Sequence, residues 1–211
     1  MIHSNIKQVI ITLLIGVVAG CGEQSNAELS NNTLTLDEKI EIAINQKQLQ
    51  ERGKKGEELS YQMNKDLPFS GWQKRLYDSG QIAELSHYKE GKLDGISTWW
   101  HQNGQKHIEK NWKQGLEHGE DKRWYSNGQL ECRTLWENNK LVFAEVWKPN
   151  GEKCTDTSIE EGHGMVLFYR DNGSCMGGKF YEGGKHLLDI EGEEDPSTIR
   201  LPHPLLIDSR K

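Results

Sequence analysis

Aromatic and polar positions recur along the central part of the chain with the same period as a set of glycine-containing turns. The five turns are Asp78-Ser79-Gly80, Gln102-Asn103-Gly104, Ser126-Asn127-Gly128, Pro149-Asn150-Gly151 and Asp171-Asn172-Gly173. Their glycines are separated by 24, 24, 23 and 22 residues. A fixed period between 20 and 50 residues indicates a repeat architecture.

Residues between the turns keep the same phase from unit to unit. Eight residues after each turn glycine, apart from that of the fourth unit, stand aromatic residues: Tyr88, Trp112, Trp136 and Tyr181. A second turn position follows, with Gly91, Gly115, Asn139 and Gly184. Each unit therefore reads strand–turn–strand–turn, which predicts an antiparallel β-meander.

The turn type decides which side chains share a face of this sheet. Pro149 stands at the first loop position, which a type I turn favours, so a three-residue loop with glycine in the left-handed region is predicted. This loop predicts one aromatic face, comprising Tyr88, Trp100, Trp112, Trp124, Trp136, Trp147, Tyr169 and Tyr181. The opposite face is predicted to be mixed polar, with Trp99 and Tyr125 as its main apolar members.

The units Gly71–Gln81 and Gly119–Gln129 resemble the MORN-variant repeats of the bacterial YwqK-type family. The resemblance covers roughly residues 48–185, and the fourth unit departs from it, with Phe143 at the expected glycine and Ile159 at the expected aromatic residue. It implies an all-β fold, an elongated antiparallel β-meander of MORN-like hairpin repeats. Many members of the family carry an antitoxin label.

The N-terminus has the pattern of a processing signal. Lys7 precedes ten apolar residues, Val9–Val18, which are too few to span a bilayer as a helix but suit a signal peptide. The next residues, Val18-Ala19-Gly20-Cys21, resemble the lipobox of bacterial lipoproteins, which implies cleavage after Gly20 and acylation of Cys21. With Gly22 rather than Asp after the cysteine, the resemblance implies anchoring at the outer membrane, facing the periplasm.

A lead-in segment separates the predicted tether from the repeats. Ile40–Ile44 alternates with period two and favours a strand, after which Asn45 could cap a short helix over residues 46–52 that stops at Gly53. The alternative is one helix from Asp37 to Arg52. The predicted organisation is a signal peptide at 1–20, a tether at 21–33, a lead-in at 34–66, the repeat sheet at 67–188 and a tail at 189–211.

Composition and cysteine content limit the classes of function. Hydrophobic residues make up 34% of the chain and the formal net charge is −6, which gives no support for nucleic-acid binding. If Cys21 carries the lipid anchor, Cys132, Cys154 and Cys175 remain. At most one intramolecular disulfide can then form, and its pairing stays open. Their spacing contains no CxxC motif, and neither a metal site nor a cofactor is expected.

The sequence contains none of the common hydrolase, metalloprotease, phosphate-loop or dinucleotide motifs, so it is not expected to be an enzyme. A non-catalytic, lipid-anchored envelope protein that binds a protein partner, in an antitoxin- or immunity-like manner, is the favoured function. The alternative is a structural or glycan-associated envelope lipoprotein. The predicted contact residues lie on the polar face: Arg75, Trp99, His101, Arg123 and Tyr125.

Overall fold

The computed structural model describes residues 34–191, which are mostly β-strands. An α-helix, α1, spans Leu36–Ile42 and a 3-10 turn spans Gln46–Gln48. The strands are β1 Ile44–Asn45, β2 Leu49–Arg52, β3 Leu59–Gln62, β4 Gly71–Leu76, β5 Ile82–Lys89, β6 Lys92–Trp100, β7 Lys106–Lys113, β8 Leu116–Glu117, β9 Gly119–Trp124, β10 Leu130–Glu137, β11 Lys140–Val146, β12 Ser158–Glu160, β13 His163–Tyr169, β14 Cys175–Glu182 and β15 Lys185–Glu191. The predicted signal peptide, Cys21 and the tether lie outside the described residues.

Successive hairpins form one large sheet. Across residues 34–191 this sheet contains 13 strands, and its order follows the chain from β4 to β15, with short β8 attached to β7. Strand β1 pairs in parallel with β4, and β2 and β3 form a separate antiparallel pair. The predicted all-β meander is confirmed. Within the same residues, no helix is long and apolar enough to cross a membrane.

The five predicted turns are three-residue loops. In the first loop, the Tyr77 N–H donates to the Gln81 carbonyl and the Gly80 N–H donates to the Tyr77 carbonyl, both at 2.9 Å. The same two bonds recur in the other four loops. All five loop glycines have φ between 84° and 86°, in the left-handed region that glycine adopts without steric cost. The predicted loop length is therefore confirmed.

The predicted aromatic face is wrong, because a β-bulge follows these loops. In the first unit Leu76 pairs with Ile82 but Arg75 pairs with Glu84, so Ala83 is an extra residue. Equivalent register shifts follow the loops of the second, third and fifth units. One extra residue reverses the alternation of every later side chain in the strand. The aromatics eight residues after the glycine therefore lie on the opposite face from those four residues before it.

Cross-strand pairing defines the two faces of the sheet. The front face carries a row whose members pair directly in register: Arg75, Glu84, Trp99, Ile108, Arg123, Cys132 and Val146. The back face carries the neighbouring row: Lys74, Leu85, Thr98, Glu109, Lys122, Arg133 and Glu145. Trp136 and Tyr181 consequently belong to the front face, and Trp100 and Trp124 belong to the back face.

The lead-in segment differs from its predicted structure. Residues 40–42 belong to helix α1, which begins at a capping box between Thr35 and Glu38, so the predicted strand over Ile40–Ile44 is wrong. The single helix from Asp37 to Arg52 is also wrong. Asn45 caps a helical turn as expected, but that turn is only the 3-10 segment before β2.

Two apolar clusters stabilise the sheet from different sides. On the back face, Ala43 at the end of α1 packs with Trp72, Leu85 and Trp100, which are at most 8% exposed. The larger cluster joins the second half of the sheet to β9 and β10; its members include Cys132, Val146, Val166 and Tyr181. Part of the front face is therefore enclosed between β9–β10 and β13–β14.

Candidate functional site

Three of the predicted contact residues lie in one row of the front face. Arg75 is paired with Glu84 at 3.2 Å, and Glu84 lies directly opposite Trp99 in the register. Arg123 lies further along the same row, beyond Ile108. The sequence therefore grouped these three side chains correctly by face, although the row itself extends into the apolar cluster.

The other two predicted contact residues help to hold successive repeats together. The Tyr125 hydroxyl donates to the Trp147 carbonyl at 2.8 Å, and Tyr77 makes the equivalent bond to the Trp100 carbonyl. In the unit between them, the ring nitrogen Nε2 of His101 lies 3.0 Å from the equivalent carbonyl oxygen. Tyr125 is only 4% exposed. Its side chain therefore packs between repeats and offers little surface to a partner.

A histidine pair lies beside these hydrogen bonds between successive repeats. The rings of His101 and His107 are centred 4.2 Å apart, and His107 is the bulged residue of its strand. Burial, together with the nearby His101, lowers the pKa of His107. Within residues 34–191, no group of three or more His, Cys, Asp or Glu side chains is arranged to hold a metal ion.

A cavity of about 330 Å³ opens on the front face. Its lining comes from both sides of the enclosed region and includes Lys110, Glu117, Asp121, Arg123, Trp136, Phe168, Lys179 and Tyr181. The Trp136 and Tyr181 rings meet edge to face at a centroid distance of 6.3 Å, and the Arg123 guanidinium lies 5.4 Å from the Phe168 ring centre. These contacts join residues that are 45 positions apart along the chain.

The charged groups of the cavity differ in how well they are paired. Lys110 forms an ion pair with Glu117, and the Asp121 carboxylate accepts the Asn111 N–H at 2.9 Å. Asp121 is 6% exposed, and this burial raises its pKa to about 6. Arg123 lies 3.7 Å from Glu131, whose pKa is also raised by burial. The cavity therefore contains charge held away from bulk water.

The back face of β7–β11 has a different character, and we call it the ladder patch. Ion pairs run along and across its strands at 2.6–3.6 Å: Lys106–Glu109, Lys122–Glu120, Arg133–Glu120, Arg133–Glu145 and Lys153–Glu145. Hydrogen bonding by Lys153, aided by Arg133, lowers the pKa of Glu145. Leu135 and Phe143 are paired in the same register and are 38% and 36% exposed.

The three cysteines of the repeat region are unpaired and buried. The Cys154 Sγ lies 3.1 Å from the Tyr169 hydroxyl, while burial raises the pKa of the Cys132 thiol to about 12. A thiol with so high a pKa is almost entirely protonated and unreactive at neutral pH. These side chains act as core residues in this structure.

The sequence did not identify the cavity residues Asp121, Trp136, Lys179 and Tyr181 as a group. The shared phase of Trp136 and Tyr181, each eight residues after a turn glycine, was the available signal. This shared phase indicates that the two residues occupy equivalent strand positions. It does not indicate that two hairpins distant in sequence face each other. That contact depends on how the sheet bends.

Two segments of the chain, residues 93–114 and 117–138, match the MORN repeat variant family. Each match spans one unit of the meander, from β6 to β7 and from β8 to β10. The chain matches no curated protein, and it matches no solved structure. The repeat resemblance is thus confirmed for the central units, while the narrower YwqK-type assignment stays a prediction.

Proposed function

Since the chain carries MORN-variant repeats, we propose that it is a non-catalytic, lipid-anchored protein of the cell envelope that binds a protein partner through its repeat sheet. In its specific form it neutralises that partner, as an antitoxin or immunity protein does. The ladder patch is the observation that supports this proposal. The anchor is supported by the sequence around Cys21 alone.

The ladder patch has the chemistry of a recognition surface. Leu135 and Phe143 present apolar side chains to solvent, and the Arg133 guanidinium lies 5.8 Å from the Phe143 ring centre. Aromatic residues and arginine are enriched at the centres of protein interfaces, where a polar rim surrounds them. The Glu and Lys side chains of the surrounding ion pairs supply such a rim.

The ladder patch also fits a protein partner because it presents both signs of charge in a fixed order, with Lys122 and Arg133 side by side between Glu109 and Glu145. Exposed ion pairs contribute only about 0–1 kcal/mol each to stability, so their arrangement has little effect on folding. A fixed arrangement of both signs instead favours a partner with the complementary order and disfavours partners with a single sign of charge. This surface therefore provides selectivity towards a protein partner that the enclosed part of the front face cannot.

The direct test is capture of a partner by the anchor-free chain from an envelope extract. We expect the double variant Leu135→Lys/Phe143→Lys to lose the captured protein while its melting curve stays close to that of the unmodified chain. Met176→Lys is the matched control, because Met176 is 51% exposed but lies in β14, outside the ladder patch. This control should retain the partner.

Other results would redirect the proposal. If Trp99→Ala or Arg75→Ala removes the partner and the double variant retains it, the front-face row is the contact surface. If the only ligand recovered is isolated cell wall, bound in high salt, the protein is a glycan-associated envelope protein. Capture that is identical for all variants would contradict recognition by either face.

The anchor has its own test. Cys21→Ser in the full-length chain is expected to move the protein from the membrane fraction to the soluble periplasmic fraction, because the thiol that would carry the acyl chain is removed. Ser25→Cys supplied together with Cys21→Ser should not restore membrane binding, since the cysteine would no longer follow Gly20. An intact mass that shows an unmodified Cys21 on the mature chain would contradict the anchor.

A further inference from the structure

The cavity on the front face has the size and walls of a small-molecule site. Its volume of about 330 Å³ lies within the range of ligand pockets. Trp136 and Tyr181 form two nearly perpendicular walls, and Phe168 forms a third. The Trp136 Nε1–H already donates to the Thr134 hydroxyl at 2.9 Å, which fixes the ring. A flat or ring-shaped body can therefore pack against preformed aromatic surfaces.

Two hydrogen-bond donors of the cavity lack acceptors. Tyr181 is 6% exposed, and its hydroxyl makes no hydrogen bond to any residue of the described range 34–191. The Nε of Arg123 is also buried and has no acceptor among those residues. An unsatisfied buried donor such as the Arg123 Nε–H is rare and costly. Tyr181 and Arg123 line the same cavity.

The charge of the lining favours a negatively charged ligand. Lys110, Lys122, Arg123 and Lys179 line the cavity together with two acids, Glu117 and Asp121, although the whole chain has a formal net charge of −6. The Lys110–Glu117 pair is internally neutral. Lys179 forms no ion pair with any residue between 34 and 191. Lys179 is thus an exposed cation without a counter-ion, and it lines the same cavity as the two donors.

From these three observations we propose that the cavity binds a small organic carboxylate carried on a ring. The carboxylate accepts hydrogen bonds from the Tyr181 hydroxyl and the Arg123 Nε–H and is attracted by the Lys179 ammonium. The ring packs against Trp136 and Phe168. Aromatic acids and sugar acids share this chemistry. This site lies on the front face and is independent of partner binding by the ladder patch.

Two matched pairs of probes test the proposal with the anchor-free chain. Benzoate is compared with benzyl alcohol, and D-glucuronate is compared with D-glucose, by calorimetry and by the change in tryptophan fluorescence. We expect at least one carboxylate to bind in the millimolar range and its neutral counterpart to bind at least ten times more weakly. The carboxylate that binds identifies the aromatic or the sugar class.

Variants then locate the bound probe. Tyr181→Phe removes only the hydroxyl, and Lys179→Gln removes only the charge; each should weaken binding of the carboxylate about five- to tenfold without lowering the melting temperature. Lys106→Gln is the control, because Lys106 pairs with Glu109 on the back face and does not line the cavity. Its affinity should be unchanged. Equal binding of charged and neutral probes, no binding of either carboxylate at 50 mM, or an unchanged affinity in both cavity variants would overturn the site.

Discussion

Trp100→Ala is expected to lower the free energy of unfolding by about 3–5 kcal/mol, as truncation of a buried tryptophan does. Trp100 is 6% exposed and packs on the back face with Trp72 and Leu85, beneath the helix α1. The substitution would leave a cavity under α1, which is held to the sheet partly by the bond from the Lys74 ammonium to the Ile40 carbonyl at 2.7 Å. Chemical denaturation followed by circular dichroism measures the effect.

Trp124→Ala is the matched control, because Trp124 occupies the same position in the next repeat. It also lies on the back face, but α1 does not reach it, so it is only half-buried, with the Lys106 ammonium 5.7 Å from its ring centre. We expect a loss of about 1–2 kcal/mol. Equal losses for the two variants would contradict the conclusion that α1 makes the difference between these repeats.

Gly162→Ala is expected to cost at least about 3 kcal/mol, from backbone strain and overpacking together. Gly162 has φ of +82°, and a Cβ there would lie 2.5 Å from the Gly184 backbone nitrogen and 2.9 Å from the Leu141 carbonyl oxygen. Both contacts are to backbone, which cannot move aside as a side chain can. The Gly184 N–H also donates to the Gly162 carbonyl at 2.8 Å, so the substitution disturbs two stacked turns.

Gly173→Ala separates the two contributions. Its φ of +85° is nearly the same, but a Cβ there would meet nothing within 4 Å. Only the backbone conformation is then unfavourable, at a cost of about 1 kcal/mol. The difference between the two melting curves measures the close approach of the turns. Similar destabilisation by both substitutions would show that Gly162 is not in close contact with its neighbours.

The candidate site was predictable only in part. Arg75, Trp99 and Arg123 share an offset of five residues before their turn glycines, and equal offsets place residues in one cross-strand row. The offset does not predict burial, because burial depends on which part of the protein covers each residue. Tyr125 is therefore buried although its offset is the same as that of half-buried His101.

The lead-in segment shows the limit of local patterns. The alternation in Ile40–Ile44 favoured a strand, but the capping box at Thr35 begins a helix that includes Ile40. Tertiary packing decides between the two, since the helix places Ile40 and Ala43 on the cluster around Trp72. A short apolar segment has no strong intrinsic preference, and the surface that it covers selects its conformation.

The sequence by itself determined the all-β meander, the five three-residue loops and the period of the repeat. These features depend on local backbone requirements, above all a left-handed glycine at a fixed place in each turn. Only the tertiary structure decided which face each aromatic residue occupies, because the bulge after the loops carries no distinctive residue: the extra positions are held by residues as different as Ala83, His107 and Glu131. The cavity also came from the tertiary structure alone, since it requires the β9–β10 and β13–β14 hairpins to meet across the front face, and such contacts between distant segments leave no periodic pattern in the chain.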